Sequence, residues 1–228
     1  SKATRVIAEG EVLQLSKIRD ASTSEETYME VIRGKTAMLF EASTHSAAAL
    51  AGAEPAQSDA LPTFGDHLGI AFQLVDDLLD YRGDAATLGK NVGDDLAEGK
   101  PTLPLIYTMR EGTPEQAALV RQAIQKGGIE DLESIRNAVE AAGALDYTAK
   151  QARDYAERAI ASLDTLPASA FRDALVELSR FAVARTPEPL RPIPKPQTRL
   201  CDGFFIACVL RKRALALTRY RRSPGSYT

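Results

Sequence analysis

The chain has 228 residues, 44% of them hydrophobic, with a net charge of −3, two Cys and no Trp; that suffices for one sizeable core or two small ones in a soluble globular protein. No stretch approaches the roughly 20 apolar residues of a membrane-spanning helix, and the opening Ser-Lys-Ala-Thr is not a signal peptide. From Arg185 onward ten Lys or Arg stand against two acidic residues, so residues 1–184 carry −11 and the remainder +8. Cys201 and Cys208 both lie in that basic segment, which leaves the body with no disulfide or cysteine metal site and makes a reducing, cytoplasmic setting the expectation.

The body reads as helix throughout, because alanine is abundant and β-branched alternation scarce. A first helix is expected over about Ala3 to Leu15; a chain that begins inside a helical pattern suggests a fragment with sequence missing upstream. Thr23 and Glu26 stand at capping-box spacing ahead of a long helix to about Leu50. Ala37, Ala42, Ser43, Ala47, Ala48 and Ala49 on that helix permit close approach of a neighbour.

The next helix is expected from about Pro62 to Tyr81, stopped by Arg82-Gly83-Asp84, and Asp84 to Gly99 reads as a Gly- and Asp-rich loop. Pro101 is placed to begin another helix with Pro104 in its first turn. Thr113-Pro114-Glu115-Gln116 combines an N-cap, a proline at the first helical position and a glutamine at capping-box spacing. Helices follow at about 114–126, 129–141, 145–163 and 168–184, joined by connections short enough to make neighbours antiparallel. Beyond Ala184, Pro187, Pro189, Pro192, Pro194 and Pro196 favour an extended linker. The segment 185–228 is expected to be a disordered Pro/Arg-rich extension or non-native coding sequence. Contact with nucleic acid or an acidic membrane is its lesser reading, so no nucleic-acid partner is expected.

Chemistry centres on the run Gly69 to Asp80. With a period of 3.6, Gln73, Asp76, Asp77 and Asp80 share one side of a helix whose other sides are apolar. Like charges so spaced repel, and a divalent cation with oxygen ligands would neutralise them; a solvent-facing acidic stripe is the alternative. Lys35, Lys90 and Lys100 add positive charge, Asp94-Asp95 a second acidic pair, and the glycines at 83, 89, 93 and 99 let backbone approach a ligand. Taken together, carboxylates for Mg²⁺ and ammonium groups for phosphate oxygens describe a diphosphate site. His45 and His67 have no second ligand at metal spacing.

Four blocks in order resemble the trans-isoprenyl diphosphate synthases, specifically the bacterial polyprenyl, octaprenyl-like synthases. They are Gly10-Glu11 with Gln14, Tyr28 to Phe40 with Lys35-Thr36, Gly69 to Asp80, and Gly89-Lys90 followed by Gly93-Asp94-Asp95-Leu96 and Glu98-Gly99-Lys100-Pro101-Thr102-Leu103-Pro104. The resemblance covers about residues 1–184. It implies an all-α isoprenoid-synthase bundle, incomplete at the N-terminus, and a homodimer. It also implies Mg²⁺-dependent condensation of an allylic diphosphate with isopentenyl diphosphate.

By the same carry-over Asp76, Asp77 and Asp80 form the second aspartate-rich metal motif, on the allylic side. Lys35, Thr36, Gln73 and Lys90 line the allylic diphosphate, with Lys100 near the phosphate end; Lys35, Thr36, Gln73, Asp76 and Lys90 are the expected catalytic set. The first aspartate-rich motif is absent from these 228 residues, and with it the basic residues for isopentenyl diphosphate and the positions that set product length. The sequence therefore leaves room for a noncatalytic subunit or helical interaction module of a prenyl synthase complex. A terpene cyclase of the same fold fits less well, given the lysine blocks.

Overall fold

A long helix from Pro55 to Arg82 organises the molecule. The computed structural model describes residues 1–82, 93–127 and 130–184, and all regular structure in them is helical. Lys90 and the expected extension from Arg185 lie outside the described residues.

In chain order the helices are α1 (Lys2–Lys17), α2 (Glu25–Ile32), a π-helical turn (Arg33–Ala37), α3 (Met38–Ala51), α4 (Pro55–Arg82) and the short α5 (Asp94–Ala97). They continue as α6 (Leu103–Glu111), α7 (Pro114–Lys126), α8 (Leu132–Ala141), α9 (Ala144–Ser162), a 3₁₀ turn (Leu163–Thr165) and α10 (Ala170–Ala184).

Helix α4 packs chiefly on α3 and α9. Three apolar clusters follow one another along it. Phe64 and Leu68 meet Ala159, Leu163 and Ala182 near its start. Ile70, Leu74 and Val75 meet Tyr28, Ile32 and Leu103 at its middle, and Leu78 and Tyr81 meet Leu96, Leu105, Ile124, Ile135 and Val139 at its end. Each large side chain so buried contributes about 1.5–3 kcal/mol of transfer free energy, so α4 carries much of the core. Gly69 permits close approach of the π turn and α3: a Cβ there would stand 2.6 Å from the Ala37 Cα and 3.1 Å from Phe40 Cδ2. Of the small residues expected at this contact, Ala37 and Ala48 are buried, whereas Ser43, Ala47 and Ala49 face solvent.

Several boundaries differ from expectation. The N-cap of α2 is Ser24, whose side chain accepts from the Thr27 N–H; the Thr23 hydroxyl instead donates to the Asp20 carbonyl at 2.8 Å. The expected single helix to Leu50 is interrupted by the π turn. Helix α4 begins at Pro55, seven residues before Pro62, which sits inside it. A proline at the first helical position gives up an N–H that would be unpaired anyway, so Pro55 is the better start. Part of the expected loop is the short α5, and α6 is capped at Thr102 with Pro104 in its first turn. The capping box at Thr113 and Gln116 is formed in both directions.

Candidate active site

Lys35 and Thr36 lie in the π turn, a local widening of the helix that commonly marks functional positions. Helix α1 crosses this turn at Gly10, where a Cβ would fall 2.5 Å from the Lys35 amide nitrogen. That crossing places the Lys35 Nζ 2.6 Å from Gln14 Oε1, to which it donates, and 3.4 Å from Glu11 Oε2. Lys35 is thus anchored at its base while its ammonium group reaches a groove.

A chain of hydrogen bonds joins the π turn to α4 and α2. The Thr36 hydroxyl donates to Gln73 Oε1 (2.8 Å), Gln73 Nε2 donates to Asp77 Oδ1 (2.7 Å), and the Tyr28 hydroxyl donates to Asp77 Oδ2 (2.6 Å). Asp77 is only 3% exposed. Burial first, then the negative charge of Asp95, raise its carboxyl well above the ordinary carboxylate range, against the two hydrogen bonds it accepts. Burial likewise raises the Tyr28 phenol, with Asp77 adding to it.

Asp80 has a different task. Its Oδ1 accepts from the backbone N–H of Gly93 and of Asp94, and its Oδ2 from that of Asp95, all at 3.2 Å. It thereby holds the start of α5. Burial pushes its carboxyl up to about 6, with Asp95 assisting and these backbone donors opposing. Beyond α5, Lys100 Nζ reaches Asp95 Oδ1 (3.2 Å) and Glu98 Oε2 (2.8 Å). Burial works to lower the Lys100 pKa, but the bond to Glu98 and the charge of Asp95 outweigh it and raise it.

These elements enclose a cavity of about 290 Å³. Lys35, Gln73, Asp76, Asp77 and Lys100 line it together with Asp95, Lys17, Gln14 and Tyr28. Of the expected site residues, Thr36 joins through its bond to Gln73, Asp80 stands off the lining, and Lys90 lies outside the described residues. Asp76, Asp77 and Asp80 do not converge on one point: among the described residues no three His, Cys, Asp or Glu side chains form a metal-holding group. Lys17 and Tyr28 were not singled out by the sequence. A lysine in the last turn of a helix and a tyrosine on a buried face carry no distinguishing signal there; only the α1 crossing and the bond to Asp77 bring them in.

The donor set fits a hard divalent cation. Among the described residues the groove offers carboxylate and amide oxygens and no sulfur or imidazole, the ligand chemistry of Mg²⁺ or Ca²⁺, and burial together with the charges of Asp95 and Asp76 raises the Asp77 carboxyl within it.

Helical architecture, paired lysine and aspartate walls and motif order agree with one class of protein. Residues 1–142 match the family model described as polyprenyl synthetase, and the chain belongs to that family. It is 52% identical over 186 residues to octaprenyl diphosphate synthase of Escherichia coli (strain K12), which covers 81% of this chain and 58% of that protein. It is 50% identical over 185 residues to the all-trans-nonaprenyl-diphosphate synthase (geranyl-diphosphate specific) of Rhodobacter capsulatus, covering 81% and 57%. Among solved structures, polyprenyl synthase from Caulobacter crescentus CB15, complexed with calcium and isoprenyl diphosphate, superposes with a TM-score of 0.77 at 46% identity, covering 81% of this chain and 57% of that one. The chain thus spans under three fifths of the length of these relatives.

Proposed function

We propose that this chain supplies the lysine-and-aspartate wall of a prenyltransferase that condenses an allylic diphosphate with isopentenyl diphosphate to extend a polyprenyl chain. The observation that carries this reading is the gathering of Lys35, Gln73, Asp76 and Lys100 in one groove. Lys35 and Lys100 meet the diphosphate oxygens as point charges, and Thr36 and Gln73 orient it by hydrogen bonding. Lys90 joins them by its place in the motif, and Asp76 is the aspartate best placed to hold Mg²⁺, with Asp95 facing the same groove. When bound, the ion neutralises diphosphate charge and stabilises it as a leaving group.

The allylic C–O bond ionises as the lysines stabilise the departing diphosphate. The isopentenyl π bond then attacks the cation, and loss of a proton completes a five-carbon addition. The protein contributes electrostatic preorganisation, orientation and exclusion of water from the cation. By family likeness the working assembly is a cytoplasmic homodimer. No described helix is long and apolar enough to cross a membrane.

A second reading is a subunit of a prenyl synthase complex that is noncatalytic alone, binds the diphosphate through the same groove and turns over only with a partner. One titration tests the diphosphate site common to both. A nonhydrolysable allylic thiolodiphosphate should bind in the presence of Mg²⁺, and Asp76→Ala should abolish that binding. No Mg²⁺-dependent binding by the unaltered chain would sink the proposal. A product assay with radiolabelled isopentenyl diphosphate, alone and after co-purification with a partner, separates the two readings.

A further inference from the structure

Gln73 faces a choice that its own shape does not make. A primary amide turned by 180° exchanges an oxygen acceptor for an N–H donor with almost no change in volume. The Thr36 hydroxyl accepts either arrangement, because a hydroxyl both donates and accepts. At the other end stands Asp77, whose Oδ1 is 2.7 Å from Gln73 Nε2. Both Asp77 oxygens act as acceptors, Oδ1 from Gln73 Nε2 and Oδ2 from the Tyr28 hydroxyl, so a turned amide would set oxygen against oxygen in a buried site, where unpaired polar groups are costly. Asp77 is itself held from behind by the Tyr28 hydroxyl at 2.6 Å, 49 residues away in the chain.

Tyr28 is well placed for this. It is 4% exposed and packs with Ile32, Leu74 and Val75. Helix α2 is tied down at its first residue as well, where Glu25 accepts from Tyr147 (2.7 Å) and from Arg110 (2.6 Å).

We infer that Tyr28 and Asp77 are positioning residues: they fix the Gln73 amide with its oxygen on Thr36, so that an N–H of Gln73 remains to meet an anionic ligand in the groove. Within the expected aspartate-rich set, Asp77 then acts through Gln73, and Asp76 faces the groove. This rests on the diphosphate-binding reading for its ligand, while the orientation itself does not depend on it.

Asp77→Asn tests the inference with little change of shape. An asparagine both donates and accepts, so it tolerates either Gln73 orientation. Tyr28→Phe is the second variant, removing one hydroxyl and keeping the ring in the core. The direct readout is the ¹⁵N–¹H side-chain amide pair of Gln73 without ligand, assigned by its loss in Gln73→Glu. The unaltered chain should give one sharp, shifted pair; Asp77→Asn should broaden or double it. Affinity for the thiolodiphosphate with Mg²⁺ should fall about tenfold in either variant, as expected for losing a charge-assisted hydrogen bond, with the thermal midpoint of Asp77→Asn little changed. An unchanged Gln73 pair in Asp77→Asn overturns the inference whatever the affinity does. If the unaltered chain binds no thiolodiphosphate, the diphosphate reading fails, and the Gln73 resonances still decide the orientation.

Discussion

Gly10 and Lys35 meet backbone to backbone: a Cβ on residue 10 would lie 2.5 Å from the Lys35 nitrogen and 2.8 Å from the Gly34 carbonyl carbon. Neither atom is the end of a flexible side chain, so one segment must move. Gly10→Ala should shift α1 off the π turn, lengthen the Lys35–Gln14 bond and cost about 1–3 kcal/mol, as overpacking does. Urea unfolding measures the loss, and thiolodiphosphate affinity should fall with it. Stability and affinity equal to the unaltered chain would contradict the crossing.

Asp80→Asn should loosen the start of α5. Asparagine offers one acceptor where the carboxylate offers two, and its amide nitrogen faces a backbone N–H. Hydrogen exchange at the amides of Asp94 and Asp95 should accelerate. Gly93 should change less, because its N–H also reaches the Asp80 carbonyl at 3.1 Å. Equal protection at Asp94 and Asp95 would show that other contacts hold the turn.

His67 gives a pH dependence of known sign. Its Nδ1 is buried with no hydrogen-bond partner among the described residues. Burial, aided by the charges of Arg158 and Arg33, lowers its pKa from the ordinary 6.5; Asp66 and a backbone hydrogen bond at Arg158 oppose this without cancelling it. The unfolded chain therefore takes up the proton more readily, so this contribution to stability is complete above pH 6.5 and declines as pH falls into the interval below it. Urea midpoints between pH 7.5 and 5.5 should drop further for the unaltered chain than for His67→Gln. Parallel profiles would remove His67 as the cause.

Ser24→Ala should destabilise by about 1 kcal/mol through loss of the α2 cap, and Thr113→Ala by a similar amount through loss of its capping box. Thermal unfolding of the two variants provides the comparison. If Ser24→Ala had no effect, Ser24 would not be the cap that fixes the start of α2.

These caps show where local sequence suffices. Thr113, Pro114 and Gln116 carry three agreeing signals within four residues, and the helix starts there. Thr23 and Ser24 are adjacent residues that can both cap, Ser the better, and Thr23 is further withdrawn by its bond back to the Asp20 carbonyl, a contact that spacing does not express. Pro55 and Pro62 are both plausible starts, and the longer helix brings Leu61, ahead of Pro62, against the cluster of Phe64, Leu68, Ala159, Leu163 and Ala182. The motif residues were legible because their types and order are unusual. Their individual duties were not: Asp77 and Asp80 look alike in the sequence, and only Tyr28 behind one and the α5 amides before the other distinguish them. The π turn likewise sits against α1, whose Gly10 meets it backbone to backbone, a contact that Arg33–Ala37 alone does not express.

The hydrogen-bond chain that ends at Thr36 links residues 37 and 49 positions apart. Its closure depends on α2, the π turn and the middle of α4 having already found one another, since long loops must close before such contacts can form. The groove is therefore completed late in folding, and under the proposed function a partly folded chain with native helix content should bind no diphosphate. On that reading, diphosphate affinity doubles as a gauge of how completely the chain has folded.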